Sequence, residues 1–187
     1  VDWMYAAGLV FDAPFFRDTV QRALRRPFAQ AFRIDTSIDA LVARNARAPG
    51  PVPAVFVYHA SRCGSTLLAR MLMALPTHRV LSEPPPLDVV LRAPWFVADV
   101  EPRQHRAWLR ALLGVSGACG GGDPRLVVKL DAWHVVEQAV LEAAFPGTPS
   151  IFLYRDPLEI AVSQLAQPGA HMVPGMLGPS AALLAPA

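Results

Sequence analysis

The chain has 187 residues with a formal net charge of +2, 17% charged side chains and 53% hydrophobic residues. This length suits one domain with a sizeable core, and basic residues this few and scattered argue against the broad positive surface of a nucleic-acid-binding protein. Because no run reaches the roughly 18 uninterrupted apolar residues of a spanning helix, and the two cysteines follow no secretory signal, we expect a cytoplasmic protein without a membrane span.

The first 50 residues predict a basic, helical N-terminal extension. Asp12, with a proline two residues later, is typical of a helix start, and apolar residues then recur at helical spacing over residues 15–26. A second helix is expected to start near Thr36 or Ser37. The region contains seven arginines, which we interpret as the solvated side of these helices rather than as a partner-binding surface.

Residues 51–166 predict an α/β core, because short β-rich apolar runs alternate with helical patterns. Strands and helices that alternate in this way form right-handed units around a parallel sheet. The strands are expected at residues 55–58, 79–82, 125–130 and 150–154. The helices are expected at residues 67–75, 101–113, 133–144 and 157–165, and residues 87–91 are expected to form a short helical or irregular piece.

Two further segments are expected to lack regular structure. Residues 114–123 include three consecutive glycines and predict a flexible connector between a helix and a strand. Residues 167–187 are rich in glycine, proline and alanine with little periodicity, so we expect a disordered tail.

Ligands of parallel sheets bind beyond the carboxyl ends of the strands. That rule selects four places in this chain, which are the loop around Arg62, Glu83, residues 129–131 and Arg155.

The first of these places is a loop of small residues between the strand at 55–58 and the next helix. Its sequence, SRCGST, contains one cation, Arg62, and one glycine, Gly64, which lets the backbone approach a ligand. The amides that open the helix have no intrahelical partner and lie at the positive end of its dipole, so the loop is suited to an anion. In the register of the nucleotide P-loop, Ser65 takes the place of the Walker lysine and Thr66 that of the hydroxyl residue.

With Arg62 two residues before the glycine, SRCGST resembles the 5′-phosphosulfate loop of the sulfotransferases that use 3′-phosphoadenylyl sulfate (PAPS). The segment FLYRDPLEIAVSQL resembles the family's strand-to-helix segment whose Arg and Ser bind the 3′-phosphate, and the matching residues are Arg155 and Ser163. An arginine suits a phosphate because its planar fork forms two parallel charge-assisted hydrogen bonds. The resemblance covers roughly residues 54–165 and is strongest in these two segments.

This resemblance implies a P-loop-type three-layer α/β sandwich that transfers a sulfuryl group from PAPS to a hydroxyl or amine. PAPS would be the co-substrate and no metal would be needed, while the acceptor would be a small molecule, a glycan or a peptide. The residues implied to bind the phosphosulfate are Arg62, Cys63, Gly64, Ser65 and Thr66.

Glu83, at the end of the second expected strand, resembles the glutamate base of one branch of the family. A carboxylate in a partly desolvated cleft has its pKa raised toward neutrality, which suits removal of the acceptor proton. Other members use a histidine in a K-x-H context, whereas here His134 follows Lys129 by five residues, so Glu83 is the preferred base. Lys129 resembles the family's lysine near the transferring group and would stabilise its charge.

Two alternatives remain open at this point. The run LVVKLD, ending at Asp131, can also be interpreted as the Walker B strand of a P-loop kinase, although the Walker lysine is missing. The chain can also be an incomplete, non-catalytic sulfotransferase-like module. The family continues past its Arg/Ser helix into a basic, glycine-rich loop, whereas the last basic side chain here, apart from His171, is Arg155. Two explanations of this difference stay open: the chain is truncated at its C-terminus, or its cofactor site is left half open.

Overall fold

The computed structural model describes residues 1–122 and 124–169. Within these ranges the strands are β1 Asp2–Trp3, β2 Ile34–Asp35, β3 Pro53–His59, β4 His78–Ser82, β5 Arg125–Lys129 and β6 Ser150–Leu153. The α-helices are α1 Phe16–Ala23, α2 Pro27–Ala31, α3 Ile38–Arg47, α4 Ser65–Met73, α5 Pro85–Leu91, α6 Ala93–Phe96, α7 Pro102–Ala118, α8 Gln138–Ala144 and α9 Pro157–Ala166. A 3₁₀ helix, Ala132–Glu137, precedes α8.

The four longer strands form one parallel sheet in the order β4-β5-β3-β6. In the register of β3 with its neighbours, Val57 pairs with Lys129 of β5 and His59 pairs with Leu153 of β6. On the far side of β5, Ser82 of β4 also pairs with Lys129. Because all four strands point the same way, the residues that follow them meet at one edge of the sheet, as expected for this class.

Helices cover both faces of the sheet. Side chains of β3 alternate between the faces, so that Phe56 and Tyr58 pack into a cluster with α5 and α7, while Val57 packs into a cluster with Ala69 of α4. The two central strands, β3 and β5, are mostly apolar and buried, which is typical of a parallel sheet covered on both sides. The expected α/β class is confirmed, and the layering is consistent with a three-layer arrangement.

The N-terminal region contains more than the two helices expected there. Ser37 caps α3 as predicted, because its hydroxyl accepts the Ala40 N–H at 3.3 Å. Asp12 does not cap α1, which begins at Phe16, and its carboxylate pairs instead with Arg22. The α2 helix and the antiparallel β1–β2 pair were not predicted, since two-residue strands are too short to show an alternating pattern.

The expected flexible connector at residues 114–123 is partly wrong, because α7 continues to Ala118. Gly114 lies where α7 packs tightly against the segment that follows α3. A Cβ atom at Gly114 would overlap Asn45 Oδ1, and one at Gly50 would overlap the Gly114 carbonyl oxygen. Glycine therefore occurs in this helix to allow close approach rather than to end it, and irregular chain begins only at Cys119.

The other expected core elements are close to their predicted positions. The strands shift by at most two residues, and the helix expected at residues 133–144 is divided into the 3₁₀ helix and α8. The helix expected from residue 157 begins there, and Asp156 caps it by accepting the Leu158 N–H at 2.8 Å. In the described part of the chain, no helix has the length and apolar character needed to cross a bilayer. Most of the expected disordered tail, from residue 170 onward, lies outside the described residues.

Replacing Gly50 by alanine tests the close packing of α7. We expect the Gly50→Ala protein to lose about 2 kcal/mol or more of unfolding free energy, since the added methyl group overlaps a backbone carbonyl that cannot rotate away. Urea unfolding followed by circular dichroism measures the change. Ser116→Ala on α7 is the matched control and should change stability by less than about 0.5 kcal/mol. Equal stability of the Gly50→Ala protein and the wild type would contradict this packing.

Candidate functional site at the carboxyl edge of the sheet

A cavity of about 660 Å³ opens at the carboxyl edge of the sheet. Its volume lies within the range typical of small-molecule sites. Its walls come from α1, the loop before α4, the ends of β3, β4 and β5, and α9. The lining residues are Phe15, Arg17, Asp18, His59, Ser61, Arg62, Gly64, Ser65, Thr66, Glu83, Pro85, Asp131, Ala132, Trp133, Ser163 and Gly169.

The loop before α4 has the backbone geometry of an anion-binding turn. Gly64 is the N-cap of α4 with φ of 90°, a left-handed conformation that side chains rarely adopt. Backbone conformation rather than steric crowding explains the glycine, because a Cβ atom at Gly64 would meet nothing within 4 Å. The first amides of α4, at Ser65 and Thr66, have no intrahelical acceptor and lie at the positive end of a nine-residue helix.

This loop is bonded to the last helix of the described chain. Gln164 of α9 donates from Nε2 to Ser61 Oγ at 3.0 Å, although the two residues lie 103 positions apart. The Arg62 guanidinium donates to the Gln167 carbonyl oxygen. Arg62 also has a positive φ of 63°, so the loop is held in a strained conformation on the α9 side of the cavity.

Glu83 has the backbone and contacts of a constrained site residue. Its φ is 49°, and its amide donates to the Lys129 carbonyl oxygen at 2.8 Å, which extends the pairing of β4 with β5. Its carboxylate binds the Lys129 ammonium, and Oε1 lies 3.4 Å from His59 Nε2. Burial raises the pKa of the Glu83 carboxyl, but His59 and Lys129 outweigh this effect and the net pKa is below its ordinary value. The expected rise of this pKa toward neutrality is therefore wrong.

Lys129 lies beneath the cavity rather than in its wall. Only 1% of the residue is exposed, and its ammonium is enclosed by the Glu83 carboxylate and by the ring of Phe15, whose centroid is 5.7 Å away. A buried ammonium needs such partners because desolvation disfavours its charge. The Lys129 ammonium can therefore influence a bound ligand through the Glu83 carboxylate, or contact the ligand after Glu83 moves away.

His134 is a structural residue of the wall behind the cavity. It is fully buried, its Nδ1 accepts the Asp131 N–H at 3.2 Å, and its Nε2 donates to Asp88 Oδ1 at 2.9 Å. Asp88 also accepts from Trp133 Nε1 at 2.8 Å and from Arg92 Nη1 at 3.0 Å. With both ring nitrogens bonded and no place in the cavity lining, His134 is not positioned to take a proton from a bound acceptor.

Asp131 differs from the other carboxylates at this edge. It lines the cavity just beyond β5, with 12% of its side chain exposed. Burial raises the pKa of the Asp131 carboxyl to about 6, and the nearby charges of Glu83 and Asp88 add to the rise. A carboxyl with this pKa changes its charge close to neutral pH.

The structure brings most of the predicted site residues together, but not all of them. Those that line the cavity are Arg62, Gly64, Ser65, Thr66, Glu83 and Ser163. Cys63 and Lys129 are absent from the lining. Arg155 is absent too, and its half-exposed guanidinium pairs with Glu159 one turn along α9. Ser163 of the FLYRDPLEIAVSQL segment therefore lines the same cavity as the SRCGST loop. Arg155 of that segment points away from the cavity and pairs with Glu159.

The sequence reasoning missed the contribution of α1. Phe15, Arg17 and Asp18 line the cavity from a region interpreted as a solvated helical extension. Nothing local in the sequence marks them, because their role depends on how α1 packs against the sheet. His59 was also missed, although its position as the polar last residue of an apolar strand was a usable signal.

Comparisons of the sequence with known protein families and with curated proteins find no match. In the part of the chain that the structure describes, no group of three or more His, Cys, Asp or Glu residues is arranged to hold a metal ion.

The raised pKa of Asp131 predicts a pH-dependent loss of stability. For an acid whose pKa is higher in the folded chain, the protonated form stabilises the fold at low pH, and this contribution disappears as pH rises through the folded value. Between the ordinary value of 3.8 and about 6, the charge of Asp131 therefore destabilises the fold increasingly. The difference corresponds to about 3 kcal/mol at pH 8.

An Asp131→Asn protein should escape this loss because asparagine has no charge to bury. Urea unfolding at pH 4 and at pH 8 measures the effect, and the variant should gain on the wild type by about 2.5 kcal/mol between the two pH values. Asp39→Asn, the same change at an exposed position of α3, should show no such gain. A constant difference between Asp131→Asn and wild type across pH would contradict the raised pKa.

Proposed function

We propose that this chain binds PAPS and transfers its sulfuryl group to a hydroxyl or amine acceptor, within a P-loop-type fold. One observation carries the proposal. The two segments that resemble sulfotransferase motifs, far apart in sequence, lie at one cavity at the carboxyl edge of a parallel sheet. Ser61 and Gln164, one from each segment, are hydrogen-bonded to each other. This bond joins the two segments directly, beyond the shared edge that parallel strand order gives them.

In this proposal the 5′-phosphosulfate lies over the amides of Gly64, Ser65 and Thr66, where the dipole of α4 favours an anion. Arg62 adds a charge-assisted bond once its guanidinium leaves the Gln167 carbonyl. That exchange is favourable because the guanidinium then pairs with an opposite charge, which can accept two parallel hydrogen bonds, instead of a neutral carbonyl. Cys63 would contribute through its backbone, since its side chain does not line the cavity.

The 3′-phosphate would bind between Arg155 and the Ser163 hydroxyl. Arg155 must then turn from Glu159 toward the cavity. Both partners of that ion pair are about half exposed, so the pair contributes at most about 1 kcal/mol and its loss does not prevent the movement.

The acceptor would approach from the side of α1 and Glu83. In-line attack on sulfur leaves negative charge on the transferring group and on the departing phosphate, and Lys129 is the buried cation closest to Glu83. Glu83 would hold the Lys129 ammonium at the carboxyl edge, because the left-handed backbone of Glu83 and its carboxylate contact fix the two residues together.

A P-loop kinase is the second candidate, because Asp131 and Thr66 line the same cavity. The two candidates differ in what they bind. A kinase requires ATP together with magnesium, whereas the proposed site recognises the two phosphates of adenosine 3′,5′-bisphosphate without a metal.

Calorimetry with adenosine 3′,5′-bisphosphate in the presence of EDTA tests the proposed site. We expect binding by the wild type and an affinity loss of about 10-fold to 100-fold for Arg62→Ala, which removes a charge-assisted bond of about 1.5–3 kcal/mol. The matched control is Arg70→Ala, an exposed arginine on α4 that does not line the cavity. It should bind as tightly as wild type, since it loses the same charge without losing the contact.

Binding of ATP only with magnesium, and none of the bisphosphate, would overturn the sulfotransferase proposal in favour of the kinase. Binding of the bisphosphate without transfer from radiolabelled PAPS to a panel of phenols, alcohols, monosaccharides and amines would instead favour the non-catalytic module.

A further inference from the structure

We propose that Asp131 is the catalytic residue that takes the proton from the acceptor, in place of Glu83. The inference rests on the proposed function and specifies which side chain performs its proton transfer. It follows from where the two carboxylates lie and from what each of them is bonded to.

Asp131 is placed at the point where an acceptor would meet the bound phosphosulfate. It follows β5, the strand directly beside β3, and β3 leads into the Arg62 loop. Ala132 and Trp133 extend the cavity wall from Asp131, and Phe15 contributes an aromatic ring from α1. Water is partly excluded from such a surface, which suits a carboxylate that must accept a proton rather than remain solvated.

The Asp131 carboxylate caps the 3₁₀ helix by accepting the His134 backbone N–H, and its Oδ2 lies 3.8 Å from His134 Nδ1. Its backbone is fixed by the neighbouring histidine, since the Asp131 N–H donates to His134 Nδ1 and the His134 N–H donates to the Asp131 carbonyl oxygen at 3.0 Å. His134 Nε2 is bonded in turn to Asp88 Oδ1 at 2.9 Å, so the ring is held in one orientation beside Asp131. The charge of His134 lowers the pKa of Asp131, but burial outweighs this effect.

Glu83 has the opposite surroundings. Its carboxylate is already bonded to the Lys129 ammonium and lies beside His59 Nε2. Protonating Glu83 would leave Lys129 as an uncompensated buried charge, which is strongly unfavourable. Glu83 is therefore an ion-pair partner, whereas Asp131 can gain and lose a proton without breaking a bond to another side chain.

The pKa shifts of the two carboxyl groups agree with these different roles of Asp131 and Glu83. The pKa of Asp131 is raised to about 6, mainly by burial, while that of Glu83 is lowered. A base with a pKa near 6 is ionised at neutral pH and still binds a proton well.

The charged and titratable groups at this edge come from every element that surrounds Asp131. They are Arg17 and Asp18 on α1, His59 on β3, Arg62 in the loop, Glu83 after β4, Asp88 on α5, Lys129 on β5, and His134 and Glu137 on the 3₁₀ helix.

The proposed step balances as follows. The acceptor oxygen forms a bond to sulfur while the bond between sulfur and the bridging phosphate oxygen breaks. That oxygen departs with the electron pair as part of adenosine 3′,5′-bisphosphate. The acceptor proton moves to the Asp131 carboxylate and is later released to solvent, so no oxidant, reductant or metal is required.

Titration of the Asp131 carboxyl by carbon-13 NMR tests the inference without an acceptor. The signal missing from the Asp131→Asn spectrum assigns the resonance. In the full chain we expect it to titrate near pH 6, while the signal missing from Glu83→Gln titrates below pH 4.5. If Asp131 titrates in the ordinary aspartate range, or if Glu83 titrates near neutrality, the assignment is overturned.

Steady-state kinetics with PAPS and the best hydroxyl acceptor of the panel give the second readout. We expect Asp131→Asn to lower kcat at least about 100-fold and to remove the fall in rate below pH 6, since general-base catalysis contributes about 10²–10⁴-fold. Its affinity for adenosine 3′,5′-bisphosphate should remain within about twofold of wild type. Glu83→Gln should lower kcat but retain the fall below pH 6, and Asp39→Asn should match the wild type.

These results separate the two proposals. An Asp131→Asn enzyme that keeps more than a tenth of wild-type kcat, or that keeps the fall below pH 6, overturns the role of Asp131 while PAPS turnover by the wild type still supports the proposed function. A wild type that neither binds the bisphosphate nor turns over PAPS overturns the proposed function, and with it the catalytic role of Asp131.

Discussion

The buried ammonium of Lys129 constrains the whole carboxyl edge of the sheet. An ammonium that is 1% exposed must have a compensating charge, and Glu83 supplies it from the neighbouring strand. This requirement accounts for the left-handed backbone of Glu83, which brings the carboxylate back over β5. Phe15 covers the other side of the ammonium, so one charge ties β5, the end of β4 and the start of α1 into a single arrangement.

The burial of Lys129 also gives the N-terminal region a structural role. Residues 1–50 precede the sheet in sequence, but they pack against it. Leu41 belongs to the main core cluster, and the Phe15 ring covers the Lys129 ammonium. A small domain buries enough surface only by using all of its elements, so a peripheral segment that covers a charged edge is structurally necessary. The acceptor side of the proposed site is therefore built partly from α1, whose sequence carries no recognisable motif.

The sequence was sufficient for those parts of the fold that depend on local patterns. The four parallel strands, the loop of small residues at Gly64 and the starts of α3 and α9 were all predicted close to their observed positions. Their signals are short-range, because apolar periodicity and cap chemistry lie within a few residues. The site residues of the loop and Ser163 were predicted from motif resemblance, and their shared cavity is a consequence of parallel strand order.

The errors concern properties that only packing determines. Gly114 was interpreted as the end of a helix because the chain against which α7 packs is invisible in a local window. The pKa of Glu83 was expected to rise because its counter-ions, His59 and Lys129, come from other strands. Asp131 was selected by its place after a strand and by a kinase-type motif, and neither pattern could show that burial raises the pKa of its carboxyl.

The bond between Arg62 and the Gln167 carbonyl gives the proposed anion site an internal competitor. In that proposal an external anion must displace the carbonyl, so the apparent affinity would equal the intrinsic affinity multiplied by the fraction of molecules in which Arg62 is released. The residues just after α9 would then set the affinity of the loop without touching the anion. The geometry of a backbone segment would thus adjust the affinity of the proposed site independently of the residues that recognise the ligand.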